Sequence, residues 1–241
     1  MVRLVLFDID GTLIRTGGAG MKAFAKVFET EFHAVDGLER LKFAGRTDVS
    51  LVREFFSLHK IVPTPENFQR FFDPYVFWLE QFLDQSDGGI CPGVEEFLDE
   101  LDSLPQPPLV GLLTGNIRLG AEIKLRHFRL WSRFATGAFA DDHEDRDQIA
   151  SIARDRGTRL LKEDLRPDQV LVVGDTPFDI RCGRAIGARI LAVATGGCSF
   201  EELRQHQPDW IVETLAGLST GEVVGKGAGT LRRQVLKTSK R

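Results

Sequence analysis

Residues 2–12, VRLVLFDIDGT, decide how the rest of the chain reads. The apolar run Val2 to Phe7 stops abruptly at Asp8, Asp10, Gly11 and Thr12. A short apolar run that ends in a polar turn marks a buried strand. Four further runs have the same form: Leu109 to Leu113, Phe134 to Phe139, Val170 to Val173 and Ile190 to Ala194. Helical stretches separate them. Val94, Phe97, Leu98, Leu101 and Leu104 recur at helical spacing behind Pro92, which is placed to open that helix. Ile117 to Phe128, Gln148 to Arg156 and Phe178 to Ile186 read as helices too. This alternation predicts an α/β fold, a doubly wound parallel sheet with helices on both faces.

Between residues 15 and 89 the pattern changes. Phe24, Val27, Phe28 and Phe32 mark an amphipathic helix, and Thr47 to His59 hold a second. A third carries Phe68, Phe71, Phe72, Tyr75, Leu79, Phe82 and Leu83, capped by Thr64 and opened by Pro65. Pro74 is expected to kink or restart it. No strand is expected in this stretch. The predicted organisation is a core of residues 1–14 and 90–220, an inserted all-helical cap over 15–89 with glycine hinges near Gly17-Gly18 and Gly88-Gly89, and a flexible basic tail over 221–241. The cap's aromatic residues are expected to form its own core, though they could also conceal a dimer face, so a monomer and a homodimer both fit.

The 241 residues suffice for one substantial core plus a smaller insert. With 42% apolar and 27% charged residues and a net charge of −4, the chain has an ordinary globular composition and no overall attraction to nucleic acid or anionic lipid. An anionic substrate must therefore be held by a local site. Cys91, Cys182 and Cys198 are odd in number and widely spaced, against a disulfide framework or a zinc site. The amino terminus does not read as a signal peptide, and no run is long enough to span a membrane, so a cytoplasmic location is expected.

In a parallel α/β sheet, ligands bind beyond the carboxyl ends of the strands. There the sequence sets Asp8-Ile9-Asp10, then Thr114-Gly115-Asn116, then Gly174-Asp175-Thr176-Pro177 with Asp179 one turn on. Carboxylates gathered in one cleft either take up protons or gather a cation. An all-oxygen donor set favours magnesium. Asp8 and Asp175 would be direct ligands, Asp10 would offer its backbone carbonyl, and Asp179 would act through water or hold the site in place. Thr114, Gly115 and Asn116 precede a helix amino terminus, whose free N–H groups suit a phosphate oxygen. Phosphoryl transfer to a carboxylate fits this set.

FDIDGTL (Phe7 to Leu13), LLTGN (Leu112 to Asn116) and VVGDTPFDI (Val172 to Ile180) resemble three signature motifs of the haloacid-dehalogenase-like superfamily. PGVEEFLDEL, IGARILAVATGG and PDWIVETLAGL look like its phosphoglycolate-phosphatase-like branch. The resemblance implies a magnesium-dependent hydrolase of a small phosphorylated metabolite. Asp8 would attack phosphorus. Asp10 would serve as acid and then base, Thr114 would bind the phosphoryl group, and Asp175 would share the metal with Asp8. FAGRTD (Phe43 to Asp48) looks like the segment that this branch places on its lid, with Arg46 as either a substrate contact or a local salt bridge. The family's usual lysine is missing from GAFADDHEDRDQIASIA, where Arg146 is the replacement, unless its acidic neighbours hold it in a surface ion pair. Lys124 and Lys162 lie outside that position, and His143 reads as a loop residue. Asp10 followed by Gly-Thr separates the chain from dehalogenases, which need neither a second aspartate nor a metal. A sugar-phosphate mutase or a non-catalytic binding protein on the same scaffold are the alternatives.

Overall fold

The computed structural model describes residues 1–225 and, beyond them, the strand backbone at Gln234–Val235. The chain runs β1 (Leu4–Phe7), β2 (Ile14–Arg15), α1 (Ala19–Phe32), α2 (Asp48–Leu58), α3 (Pro65–Asp84), β3 (Gly89–Ile90) and α4 (Val94–Asp102). It continues with β4 (Leu109–Leu113), α5 (Arg118–His127), β5 (Thr136–Ala138), α6 (Arg146–Leu161), β6 (Val170–Gly174) and α7 (Pro177–Ala185). It closes with β7 (Arg189–Val193), α8 (Phe200–Gln205), β8 (Trp210–Val212), α9 (Thr220–Val224) and β9 (Gln234–Val235).

The parallel sheet has the order β5-β4-β1-β6-β7-β8-β9, so β1 lies between β4 and β6. Leu4 is level with Leu109 and Val170, and Phe7 with Leu112 and Val173. All four residues of β1 are fully buried, which is why the strand reads as an unbroken apolar run rather than an alternating one. Its alternate side chains enter separate cores, Val5 and Phe7 on one face, Leu4 and Leu6 on the other. This is the expected doubly wound α/β architecture.

Phe24 packs against Phe71 and Tyr75 at ring separations of 4.9 and 5.0 Å, joining α1 to α3. Burying each such ring contributes roughly 1.5–3 kcal/mol. The same cluster takes in Ile117 and Ala140 from beside the sheet, so the helical segment is packed onto the sheet domain.

Four expectations change. First, Arg15 and Gly89 are in strands after all: β2 and β3 form a two-residue antiparallel ribbon pairing Ile14 with Ile90 and Arg15 with Gly89. Second, α3 runs on through Pro74 without a restart, its apolar face held by the buried Phe71, Tyr75 and Leu79. Third, α4 opens at Gly93 rather than Pro92 and stops before Leu104. Fourth, residues 221–224, assigned to the tail, belong to α9, whose Val223 and Val224 are buried. The remainder of that tail lies outside the described residues except at 234–235. The three cysteines are free thiols. Among the described residues no helix is long and apolar enough to cross a membrane.

Candidate active site

Because β4, β1 and β6 are adjacent and parallel, the residues that follow them emerge side by side: Thr114, Asp8 and Asp175. They open into a cavity of about 530 Å³ roofed by Met21, Phe24 and Tyr75 of the helical segment. Carboxylate oxygens of Asp8, Asp175 and Asp179 lie within 4.8 Å of one another, all three residues buried. Thr12 Oγ1 donates to Asp175 Oδ1 at 3.0 Å. Gly196 lies so close that a β-carbon there would overlap Asp175 Oδ2, so only glycine fits.

Arg146, the first residue of α6, turns its guanidinium inward and is 4% exposed. Its Nη2 donates to Asp179 Oδ1 and stands 3.5 Å from Asp8 Oδ1. The acids beside it in sequence are not its partners, so the surface ion pair is the reading that fails. Its Nε is buried and meets no acceptor among the described residues. Asp179 has both oxygens engaged. Oδ1 holds Arg146, and Oδ2 accepts from Thr176 N and Oγ1 at 3.0 and 2.6 Å in the capping box of α7.

Burial and the charge of Asp179 push the Asp8 carboxyl up to about 7 against the pull of Arg146, with Asp10 adding to the rise. Burial and the charges of Asp179 and Asp8 also raise Asp175 well above the usual carboxylate range, despite Thr12 and Arg146. Burial alone would lower the Arg146 guanidinium, but Asp179 and Asp8 outweigh it, so it stays charged.

On the other side of Asp8 lies a second network. Thr114 Oγ1 accepts from Asn116 N at 3.3 Å and Asn116 Nδ2 at 2.8 Å, which leaves its own O–H as a donor. Asn116 Nδ2 also donates to Asp10 Oδ2 at 2.8 Å, and Lys124 Nζ reaches the same oxygen at 2.7 Å. The Asp10 side chain therefore points away from the Asp8–Asp175–Asp179 cluster.

The segment Phe43 to Asp48 closes over this loop. Asp48 N donates to Gly115 O at 2.7 Å, Asp48 Oδ2 accepts Ile117 N at 2.8 Å, and Thr47 Oγ1 donates to Glu144 O at 3.0 Å. Here the expected cradle needs correction. Of the amides leading into α5, Ile117 N is taken by Asp48 and Arg118 N by Asp141. Two acids neutralise that helix end. A phosphate oxygen is left with the Thr114 hydroxyl and the amide of Gly115, which meets no acceptor among the described residues. Arg46 lines the cavity, but its guanidinium pairs locally, Nε with Ser50 Oγ at 3.1 Å and Nη1 with Glu54 at 2.9 Å. His143 is a loop residue that accepts Asp145 N at 2.9 Å, and Lys162 caps the far end of α6.

Three polar residues of the site are given no role by the motifs: Thr12, Asp48 and Lys124. Lys124 left a signal. It recurs with Ile117, Ala121 and Leu125 on the buried stripe of α5, where a lysine is out of place unless paired. Asp48 left none, because its role as a cap for α5 depends on docking. A test of that docking is Gly115→Ala. Its new methyl would overlap the Arg46 carbonyl. We expect a loss of about 1–3 kcal/mol in urea unfolding; an unchanged midpoint would mean that residues 45–48 do not rest on this loop.

Residues 5–193 match the model of the haloacid dehalogenase-like hydrolase family. A pyrophosphatase, PpaX, of Oceanobacillus iheyensis is 25% identical over 227 residues, 91% of this chain and 96% of that protein. A phosphoglycolate phosphatase of Synechococcus elongatus is 29% identical over 129 residues, 54% of this chain and 57% of that one. In fold, the chain is similar to CbbY of Rhodobacter sphaeroides in complex with xylulose-(1,5)bisphosphate, with a TM-score of 0.73, 17% identity, and coverage of 90% of this chain and 96% of that chain.

Proposed function

The chain belongs to the haloacid dehalogenase-like hydrolase family, and from that premise we propose that it is a metal-dependent phosphatase of a small phosphorylated metabolite. The observation that carries this reading is Asp8, a buried carboxylate at the tip of β1, between β4 and β6, with Arg146 3.5 Å away and Asp10 two residues on. An Asp8 oxygen attacks phosphorus as the bond to the leaving oxygen breaks, giving an aspartyl-phosphate. Asp10 supplies the proton that the leaving oxygen needs. It then takes one from water, which attacks the phosphorus and frees Asp8 and inorganic phosphate. Arg146 faces the charge that develops on the phosphoryl oxygens from its place 3.5 Å from Asp8 Oδ1. The Thr114 hydroxyl and Gly115 amide offer donors to the same group.

The donor set supports a divalent cation. Three buried carboxylates face one buried guanidinium, an excess of negative charge in a desolvated site. Asp8 and Asp175 would hold it by side chains and Asp10 by its carbonyl, while Asp179, with both oxygens engaged, orients Arg146. When bound, an ion such as magnesium neutralises these carboxylates and draws charge from the phosphoryl oxygens.

Protonation and metal binding are then linked. A carboxyl raised in the folded state binds more protons folded than unfolded, so stability falls as pH rises between the two values. For Asp8 that window runs from the ordinary 3.8 to about 7, worth at most about 4 kcal/mol. The metal-free protein should therefore lose stability between pH 5 and pH 8. Magnesium should raise the unfolding midpoint strongly at pH 8 and little at pH 5, and should release protons on binding. Calorimetry in two buffers of different ionisation enthalpy measures those protons; none released near neutrality would remove Asp8 and Asp175 as ligands.

The test of the function itself is phosphate release from a panel of phosphomonoesters, phosphoglycolate and sugar phosphates included, and from pyrophosphate, with magnesium and with EDTA. Release from one class of substrate that EDTA abolishes is the expected result. No release from any member overturns the phosphatase reading.

A further inference from the structure

We propose that Lys124 is a positioning residue, which holds the Asp10 carboxylate where it serves the leaving group and then the attacking water; this inference rests on the phosphatase reading above. Lys124 projects from the buried face of α5, and its side chain is 5% exposed, whereas that of Asp10 is 42% exposed to the cavity. Lysine is almost never this buried without a partner. Here Nζ donates to Asp10 Oδ2 at 2.7 Å and to Asn116 Oδ1 at 2.6 Å. Asn116 Nδ2 returns a bond to the same Asp10 oxygen at 2.8 Å and holds Thr114 Oγ1 at 2.8 Å. The ammonium thus closes a ring of three side chains, and through Asn116 the ring reaches the phosphoryl-binding hydroxyl.

The ring does two things that Asn116 alone cannot. It fixes one oxygen of Asp10 with two donors, one charged, which leaves the other oxygen, with no side-chain partner, for proton transfer. It also fixes the Asn116 amide. With its Oδ1 held by the ammonium, Nδ2 must face Asp10 and Thr114. Without Lys124, Asp10 keeps a single neutral donor, and the amide is free to turn over.

The experiment compares Lys124→Met, Lys124→Gln and Lys124→Arg with the full-length wild type, with p-nitrophenyl phosphate as the probe. Its leaving group needs little protonation, so Asp8 is phosphorylated without help from Asp10, while release of phosphate from Asp8 still needs Asp10 as base. We expect kcat to fall about tenfold to a hundredfold in the Met and Gln variants. KM should fall together with kcat, so that kcat/KM, which reports binding and the phosphorylation of Asp8, stays within about threefold. The rapid mixing trace should acquire a burst of p-nitrophenolate, close to one equivalent per folded site, ahead of the slowed steady state. Arginine, which keeps the charge and the donors, should restore part of kcat. The burst amplitude counts competent sites, so poor folding shrinks the burst in proportion to the rate and is told apart from misplacement. Wild-type turnover with unchanged kcat in the Met variant, or a loss carried by KM without a burst, overturns the role of Lys124. Absence of wild-type turnover on this probe and on the panel above overturns the phosphatase reading instead.

Discussion

Asp8→Asn abolishes phosphate release, by about 10⁴-fold or more, and leaves the protein folded; that is the largest effect expected of any single change. The amide is nearly the same shape as the carboxylate, so the packing at the end of β1 is kept. It cannot attack phosphorus at a useful rate, and no other carboxylate is placed to replace it. Asp175 is bonded to Thr12, Asp179 is held by Arg146 and Thr176, and Asp10 points toward Lys124. The substitution also removes a group whose carboxyl is pushed up to about 7 by burial and by the charge of Asp179. The metal-free variant should accordingly be no less stable than wild type at pH 8, where wild-type Asp8 is ionised. Steady-state turnover and thermal unfolding on the same preparation measure both. Retention of near wild-type activity would move the nucleophile elsewhere, and loss of activity together with unfolding would leave its role to be sought with Asp8→Glu.

Arg146→Ala should cost roughly 2–4 kcal/mol of transition-state stabilisation, a loss of about 30- to 10³-fold in kcat/KM at saturating magnesium. The guanidinium does two jobs that alanine ends together. It neutralises Asp8 and Asp179, and it lines the cavity where charge develops on the phosphoryl oxygens. Taking away the cation leaves buried carboxylates unpaired, which typically destabilises by 3–5 kcal/mol. Arg146→Lys separates the two. It restores the positive charge but not a fork able to face two acids and a phosphoryl oxygen at once. We expect the lysine variant to regain most of the stability and only part of the rate. A rate unchanged in the alanine variant would shift charge neutralisation to another group.

Much of the sheet was legible because its strands are buried on both faces. Such strands must be apolar throughout, and their first polar residue marks the strand end and the site together, as at Asp8, Thr114 and Asp175. β8 and α8 went unread, being three and six residues long, too short for a period to declare itself. The capping signal Ser199 with Glu202 was nevertheless present for α8. Arg146 could be singled out from its place after β5, but not its direction. Five acids beside it in sequence offered local partners, and only the fold turns it toward Asp8 and Asp179. The amides of Ile117 and Arg118 illustrate the reverse error. A helix start reads as free donors, yet Asp48 and Asp141 from distant parts of the chain had already taken them. Long-range partners of this kind are invisible to spacing.

The β2–β3 ribbon carries a consequence for how such a chain can change over time. Ile14 and Ile90 are paired neighbours, so the backbone departs from the sheet domain and rejoins it at nearly one point. The register of β1 against β4 and β6 depends on nothing in between. Residues between these two positions can be lengthened, shortened or exchanged without moving Asp8 or Asp175, provided that a segment like Thr47-Asp48 still rests on the loop that follows Thr114. The chemistry and the choice of what reaches it are therefore separately heritable. Selection can revise the roof over the cavity as a replaceable part while the machinery below stays as it is.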